Sequence, residues 1–402
     1  MLISKNKVNK RLKDVALSSA FMGILLGIVF CINASMGDDT TTPQSEQGLV
    51  FPKNYTVTSK TIEYDYKIIT NSLGIRDREI SVDKGDKYRI LCFGDSWTMG
   101  FGVNIEHSWP RKLQEYLHSN QFENVEVINC GKGGQYTTKY LEYMNNAIPL
   151  LKPDLVLVGV LQLDDLAQLY EHSGSGKKAK KAKNTSIKSQ AKHIVKTYGK
   201  YSFGNLLKKK SNNTIDLKQN NINDVKNKIA KYDYLQKKQY DLLSDSVRHL
   251  FETGNLNPGL LNYYVSLTYR PTVFNNPDHP ATKLAINSMD KDLKEMKALC
   301  TQHNANLVFV NMPTASFTGH ATVRTPNDQF NDFMKEHNGI DSIYQNIALQ
   351  NELTYFELTD YFIELVPKDK YFFKFDGHPN ENGYAEIAKY IGNELVEQNL
   401  IK

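Results

Sequence analysis

The sequence contains little cysteine and lacks the common metal-binding motifs. It has four cysteines in 402 residues, too few for a disulfide scaffold. No C-x-x-C pair occurs, and no two histidines have the spacing of a zinc site. Hydrophobic residues make up 40% and charged residues 23% of the chain, which excludes a disordered or collagen-like protein. The length allows one large domain or two ordinary ones, and we expect neither a metal nor an organic cofactor.

The sequence also lacks an even spread of positive charge. The formal net charge is +5, to which residues 1–14 contribute +4 and residues 171–210, with twelve lysines and one glutamate, contribute +11. The other residues therefore sum to −10, which argues against a general nucleic-acid-binding surface. We interpret the lysine-rich residues 177–210 as a solvated loop. The alternative is a contact with an anionic lipid or an acidic polymer.

One long apolar segment lies near the N-terminus. Residues 15–37 contain no charged side chain, and as a helix they would extend about 34 Å, enough to cross a bilayer core. The basic residues 1–14 favour a cytoplasmic N-terminus and an exported body, periplasmic or extracellular. We therefore predict a single-pass signal anchor. The alternative is a signal peptide cleaved near Ala34, which would leave a secreted protein. Residues 38–60 are predicted to form a linker.

Short apolar runs alternate with helical patterns along the rest of the chain. This alternation is typical of an α/β protein whose parallel sheet is covered on both faces. We expect the core in two parts, 61–170 and 284–402, separated by a lysine-rich and helical insertion at 171–283. The five buried strands are predicted at 88–93, 125–130, 155–160, 307–312 and 354–358.

Three polar residues near the two ends of this pattern suggest hydrolytic chemistry. Ser96 directly follows the first strand, at the sheet edge where open α/β folds bind ligands. Asp376 and His378 come about 280 residues later, just before the last helix. An imidazole can take the proton of a serine while a carboxylate orients the ring. Taken singly, Asp95-Ser96 and Asp376 are also good helix caps. Together, Ser96, His378 and Asp376 predict a nucleophile, a base and an orienting acid.

These motifs resemble those of the SGNH, or GDSL-type, ester hydrolase superfamily. Residues 94–100 (GDSWTMG) are similar to the family's first block, the glycines of 129–134 (NCGKGG) to its second, and 376–378 (DGH) to its last. Residues 71–77 (NSLGIRD) also resemble a segment that precedes the first block in many exported bacterial members. The resemblance covers about half of the chain.

The resemblance implies a three-layer α/β/α fold with five parallel strands in a flavodoxin-like order. It implies Ser96 as the nucleophile, His378 as the base and Asp376 as the residue that orients the base, with no metal or organic cofactor. It also implies an oxyanion hole that includes the backbone N–H groups of Ser96 and Gly134. Glycine is suited to this position because it lets the backbone approach the developing charge closely.

The chain departs from the family at the third block. The family has an asparagine there as a further oxyanion donor, but the register places Asp164 at that position. An ionised carboxylate has no N–H to donate. Three explanations stand: a protonated Asp164, an amide supplied by Gln162, or a missing third donor. We favour a substituted or missing donor, which predicts that Asp164→Asn preserves or raises turnover.

The sequence thus predicts a membrane-anchored, exported serine ester hydrolase. Its expected substrates are acyl esters on a small molecule or a glycan, above all O-acetyl groups of carbohydrate, cleaved through an acyl-Ser96 intermediate. Two alternatives use the same fold: an O-acyltransferase that modifies an extracytoplasmic polysaccharide, and a catalytically weak polysaccharide-binding or assembly protein. Asp164 supports the catalytically weak polysaccharide-binding alternative, whereas Ser96, Asp376 and His378 oppose it.

Overall fold

The computed structural model describes residues 47–173, 217–265, 273–321 and 339–401. The predicted anchor at 15–37 and the lysine-rich residues 177–210 lie outside these ranges. Among the helices of the described ranges, none is both long enough and apolar enough to cross a bilayer.

The strands form two sheets. The first is an antiparallel hairpin of β1 (Thr56–Lys60) and β2 (Asp65–Ile69). The second is a parallel sheet of five strands, which match the five predicted strands to within one residue at either end. These are β3 (Tyr88–Gly94), β4 (Val125–Asn129), β5 (Leu155–Leu161), β6 (Asn306–Met312) and β7 (Thr354–Glu357).

The parallel sheet has the order β4-β3-β5-β6-β7. Counted from its own first strand this is 2-1-3-4-5, the flavodoxin-like order that was expected. The central strand β5 has the sequence LVLVGVL, and all seven of its residues are buried. A continuous apolar run of this kind belongs in a parallel sheet, because helices exclude water from both faces. In register, Leu157 of β5 lies between Cys92 and Val308 of the neighbouring strands.

The helices follow the strands as the sequence pattern predicts. Within the described residues they are α1 (Ser96–Met99), α2 (Trp109–Ser119), α3 (Thr137–Leu151), α4 (Asp164–His172), α5 (Leu217–Ile229), α6 (Tyr234–Asp241), α7 (Asp245–Glu252), α8 (Leu260–Val265), α9 (Pro280–Gln302), α10 (Gly339–Gln350), α11 (Thr359–Glu364) and α12 (Glu381–Glu397), with a 3-10 turn at Ile105–His107.

Two hydrophobic layers enclose the sheet. Helices α3, α9 and α10 pack on one face, against side chains that include Phe93, Val158 and Phe309. Helices α2 and α12 pack on the other face, against residues that include Leu157 and Val310. Because alternate residues of each strand point to opposite faces, one apolar run supplies both layers. The result is the expected α/β/α arrangement.

Helices α5 to α8 form a smaller hydrophobic cluster of their own. Its fully buried members include Val225, Phe251, Leu256 and Leu261. Phe375, which directly precedes Asp376, packs against the same cluster. The helical part of the insertion therefore lies beside the segment that carries two of the predicted site residues.

Candidate active site

Ser96 is the first residue of α1, immediately beyond the carboxyl end of β3. The Asp95 carboxylate caps this short helix by accepting the Trp97 N–H over 2.9 Å. A Cβ added at Gly94 would lie 2.7 Å from the Gly159 carbonyl oxygen of β5, so this strand end has no room for a side chain. The tight turn between β3 and α1 therefore holds the Ser96 hydroxyl at the sheet edge.

The segment before α12 carries Asp376 and His378 to the same place. Gly377 takes a left-handed conformation with φ of +78°, and its N–H donates to the Phe373 carbonyl over 3.0 Å. The Phe373 N–H in turn donates to the His378 carbonyl over 2.8 Å. These bonds close a turn in which both side chains point towards Ser96.

The three side chains form a hydrogen-bonded row. The Ser96 hydroxyl donates to His378 Nε2 over 2.9 Å. The opposite ring nitrogen of His378, Nδ1, donates its proton to Asp376 Oδ1. The Asp376 side chain is only 1% exposed and that of His378 is 17% exposed, so the row opens to solvent at its serine end. Such a row can pass the serine proton to the imidazole while the carboxylate stabilises the charged ring.

Aromatic side chains fix the plane of the imidazole. The ring centroid of His378 lies 4.2 Å from that of Trp97 and 4.3 Å from that of Phe101. Trp97 is itself held because its Nε1–H donates to the Pro313 carbonyl over 3.0 Å. The packing leaves the imidazole little rotational freedom, which keeps Nε2 directed at Ser96.

Buried carboxyl groups lie behind the serine. Burial, together with the nearby charge of Asp164, raises the pKa of Asp95 to about 7, although the Trp97 N–H and His378 act in the opposite direction. Burial, followed by the charge of Asp95, likewise raises the pKa of Asp165. The Asp165 carboxylate accepts the Leu161 N–H over 2.9 Å. Asp95 and Asp165 therefore resist ionising together beside Ser96.

The predicted glycine block lies next to Ser96. A Cβ added at Gly133 would lie 3.5 Å from Ser96 Cβ, and one added at Gly131 would lie 2.3 Å from the Met99 nitrogen. Gly134 has φ of +70°, and a Cβ added there would meet no atom within 4 Å. The space beside the Gly134 Cα is therefore open. The Ser96 N–H belongs to the first turn of α1, where N–H groups have no acceptor within the helix.

The structure rules out one of the candidate oxyanion donors. Gln162 is 1% exposed, and its Nε2 donates to Asp341 Oδ1 over 2.6 Å and to Thr359 Oγ1 over 2.7 Å. Both amide protons are therefore used in a buried network, and Gln162 does not supply the missing amide. The expectation failed because sequence position does not show which way a side chain points at a strand end.

Asp164 begins α4 directly after Leu163, whose φ of +68° is left-handed. Its Oδ2 accepts a hydrogen bond from Gln168 Nε2 at 2.5 Å. The Asp164 side chain is therefore tied to a residue one turn further along its own helix. Within the described residues, no group of three His, Cys, Asp or Glu side chains is arranged to hold a metal ion.

Arg76 is a residue whose importance the sequence did not reveal. It is fully buried, and its guanidinium donates to four backbone carbonyls. These belong to Lys67, Met99, Gly100 and Val103. The last three lie in the segment that follows Ser96. The NSLGIRD segment carries a family resemblance, but its spacing does not indicate that its arginine binds the loop that follows Ser96.

The chain also matches a known protein family. Residues 90–391 match the family described as GDSL-like lipase/acylhydrolase. The match covers well over half of the chain, so the protein belongs to this family of carboxylic ester hydrolases. It is therefore a GDSL-type esterase or acylhydrolase. No curated protein sequence matches the chain.

Solved structures with similar folds include three named esterases or lipases. The lipase/acylhydrolase from Enterococcus faecalis is 12% identical, with a TM-score of 0.37 over 77% of this chain and 96% of that one. The esterase EstA from Pseudoalteromonas sp. is 10% identical, with a TM-score of 0.35 over 78% and 100%. The acetyl xylan esterase AlAXEase is 13% identical, with a TM-score of 0.36 over 76% and 99%.

Proposed function

We propose that Ser96, His378 and Asp376 are the catalytic residues of a serine ester hydrolase that removes O-acetyl groups from carbohydrate outside the cytoplasm. The observation that carries the catalytic assignment is the hydrogen-bonded row from the Ser96 hydroxyl through His378 to Asp376. The substrate assignment rests on the predicted export and on the large insertion beside the site, which suit a polymeric substrate. The fold alone does not fix a substrate.

The geometry supports acyl transfer in two steps. His378 Nε2 takes the Ser96 proton as Oγ attacks the ester carbonyl, and the oxyanion faces the N–H groups of Ser96 and Gly134. His378 then gives its proton to the departing alcohol, which leaves an acyl-Ser96. Water attacks this acyl group with His378 again as the base, which releases the acid and restores Ser96. Asp376 keeps the Nδ1 proton in place throughout.

The first experiment compares wild type with Ser96→Ala, using the full chain in detergent and 4-nitrophenyl acetate at neutral pH. We expect release of 4-nitrophenol in wild type and a loss of at least about a thousandfold in Ser96→Ala. Ser119→Ala is the matched control, because Ser119 lies on α2 and its hydroxyl donates to the Glu115 carbonyl. A fluorophosphonate probe should label Ser96 and no other residue. Equal activity in wild type and Ser96→Ala would refute the assignment.

Acetylated glycans then test the substrate. Acetate released from an acetylated polysaccharide, in amounts equal to the hydroxyl groups freed, supports hydrolysis. Acetyl groups recovered on an added sugar acceptor would instead show the O-acyltransferase. Binding of the glycan without labelling of Ser96 by the probe would indicate the weakly catalytic binding protein.

The third oxyanion donor is tested by Asp164→Asn. We propose that this donor is absent in the wild type, so an amide at position 164 should leave turnover unchanged or raise it by up to about tenfold. Asp165→Ala gives the contrast, since the Asp165 side chain accepts the Leu161 N–H and its removal should weaken the fold. A large loss of turnover in Asp164→Asn, with normal unfolding free energy, would show that the carboxyl itself acts in the reaction.

We also propose that residues 15–37 anchor the protein in the cytoplasmic membrane with the catalytic domain exported. The supporting observation is the uncharged length of this segment. Full-length protein that stays with membranes after an alkaline carbonate wash fits an anchor. A shortened, soluble product would favour the cleaved signal peptide. Binding of the exported domain to anionic vesicles that falls with added salt would support a lipid contact through residues 177–210.

A further inference from the structure

The turn of the β1–β2 hairpin reaches the backbone of the catalytic acid. Glu63 lies between the two strands, and its carboxylate accepts the N–H of Phe375 over 2.8 Å and that of Asp376 over 2.9 Å. Two adjacent backbone donors on one carboxylate fix both the position and the direction of this peptide segment. Glu63 thus holds the main chain from which the Asp376 side chain extends.

The next residue of the hairpin contacts the catalytic carboxylate itself. The Tyr64 hydroxyl donates to Asp376 Oδ2 over 3.2 Å, on the oxygen that His378 does not use. Tyr64 is 6% exposed, and its ring packs edge-on against Tyr66, Phe101 and Phe373. Burial and the charge of Asp376 raise the pKa of Tyr64, so the phenol remains a proton donor over the working pH range.

The helical insertion supports this arrangement from the other side. The Asn257 side chain lies beside the Tyr64 hydroxyl and lowers the pKa of Tyr64, against the effect of burial. The Ile62 N–H donates to the Asn255 carbonyl over 3.0 Å, and the Tyr264 hydroxyl donates to the Phe375 carbonyl over 2.9 Å. The hairpin turn and the segment before Asp376 are therefore both tied to the insertion.

We propose that Tyr64 is a positioning residue of the active site, which extends the row Ser96–His378–Asp376 by one member and has Asn257 of the insertion beside its hydroxyl. Asp376 is almost fully buried, so Oδ2 would lose its hydrogen bond without the phenol, and water could reach it only by opening the fold. This inference rests on the catalytic roles proposed above for Ser96, His378 and Asp376.

The charge balance around Asp376 gives the proposal a measurable sign. Without the phenol, the negative charge of the Asp376 carboxylate is no longer partly neutralised by a hydrogen bond from Tyr64. The carboxylate then stabilises the protonated form of His378 more strongly. The base then titrates at higher pH, so the acid limb of the kcat/KM profile moves upward. The ionisable groups that face these two residues are Glu63, Tyr64 and Tyr66 of the hairpin, Asp95 beside the nucleophile and Tyr384 of α12.

The test compares Tyr64→Phe with Tyr66→Phe in the full chain. Tyr66 is the matched control, because it is a buried neighbour whose hydroxyl lies beside Gly102 and Ser59. We expect Tyr64→Phe to lower kcat about tenfold with little change in KM, and to move the acid limb up by about half a pH unit or more. Tyr66→Phe should leave the limb in place, even if it lowers stability equally.

A second variant and a second readout keep the outcome decisive. Asn257→Ala should move the limb in the same direction by a smaller amount, without removing any group from Asp376. The titration midpoint of the His378 ring, followed by histidine-selective NMR, should rise in the same order whether or not the ester is turned over. If Tyr64→Phe matches Tyr66→Phe in rate and midpoint, the proposal is wrong; if Tyr64→Phe does not fold, an unchanged midpoint in Asn257→Ala overturns it.

The two proposals fail in different ways. Activity that survives Ser96→Ala, or an absence of probe on Ser96, removes the catalytic assignment. Ser96-dependent activity with no difference between Tyr64→Phe and Tyr66→Phe removes only the role of Tyr64.

Discussion

The two segments that meet in the active site are held in different ways. The nucleophile segment, residues 95–103, is braced by the buried Arg76 guanidinium, which binds backbone carbonyls on it. The base segment, residues 373–379, is braced by the Glu63 carboxylate and the Tyr264 hydroxyl, from the hairpin and the insertion. Arg76 is close in sequence to the carbonyls that it binds on the nucleophile segment. Glu63 and Tyr264 each lie more than a hundred positions from the residues that they bind on the base segment.

This difference shows which half of the site depends on the rest of the molecule. A brace between near neighbours in the chain forms with little loss of chain entropy, but a brace across a long loop requires most of the fold to be in place. Because the Arg76 guanidinium is fully buried, we expect its removal to affect the whole protein. Changes in the hairpin or the insertion should affect the base segment first.

The largest expected effect is that of Arg76→Met. The substitution removes the donors of several buried carbonyls, and we expect it to lower the free energy of unfolding by about 3 to 5 kcal/mol. Arg78→Met is the control, because the Arg78 side chain is 38% exposed and should contribute less than about 1 kcal/mol. Urea unfolding measures both. Equal losses of unfolding free energy in the two variants would mean that the buried Arg76 guanidinium stabilises the fold no more than an exposed one.

A smaller effect is expected where the two segments touch. Gly102 has φ of +83°, and a Cβ added there would lie 2.4 Å from the Phe373 ring. Gly102→Ala should lower stability by about 2 to 4 kcal/mol through backbone strain and overpacking, and should lower kcat by displacing Phe373. Gly85→Ala is the control, since Gly85 has φ of +55° but open space around it.

Gly85→Ala should cost only about 1 to 2 kcal/mol and leave kcat unchanged. Urea unfolding and ester turnover of the two alanine variants separate strain from contact. If Gly102→Ala lowers stability no more than Gly85→Ala and keeps full turnover, the two segments are not coupled through Phe373.

The smallest expected effect concerns pH. Burial raises the pKa of Asp95 to about 7, whereas the same group ionises near pH 4 in the unfolded chain. Between these values the folded protein still holds a proton that the unfolded chain has released, so the stability from Asp95 is present at low pH and is lost as the pH rises towards 7. Asparagine keeps the helix cap but does not titrate.

Asp95→Asn should therefore gain stability relative to wild type as the pH rises from about 4.5 to about 8, by about 1 to 3 kcal/mol. Asp83→Asn is the control, an exposed aspartate whose side chain also caps a nearby backbone N–H. Unfolding free energies at the two pH values measure the difference. If the difference in unfolding free energy between wild type and Asp95→Asn is the same at both pH values, Asp95 does not hold its proton in the folded protein.

The parts of the fold that repeat a local pattern could be predicted from the sequence. The five strands are visible because buried parallel strands are continuous apolar runs, as in LVLVGVL of β5. Ser96 and the pair Asp376 and His378 could be found because each follows or precedes such an element and carries reactive groups. Their meeting at one sheet edge follows from parallel strand direction.

The remaining features depend on contacts that leave no local mark. Glu63 and Asp376 are joined across most of the chain, and no spacing rule connects a hairpin turn with a distant loop. Gln162 is a candidate donor by its position in the sequence, but in the structure its amide donates to Asp341 and Thr359. Arginine side chains are mostly exposed, and the full burial of the Arg76 guanidinium can be recognised only when its carbonyl partners are known.

The β1–β2 hairpin lies before residue 90, where the match to the family begins. A chain trimmed to the family's limits would keep Ser96, Asp376 and His378 but would lose the carboxylate and the phenol that hold the acid in place. The boundary of the shared domain and the boundary of the working unit are therefore different. Trimming this chain at the limits of the family match would therefore separate the proposed catalytic residues from the side chains that support them.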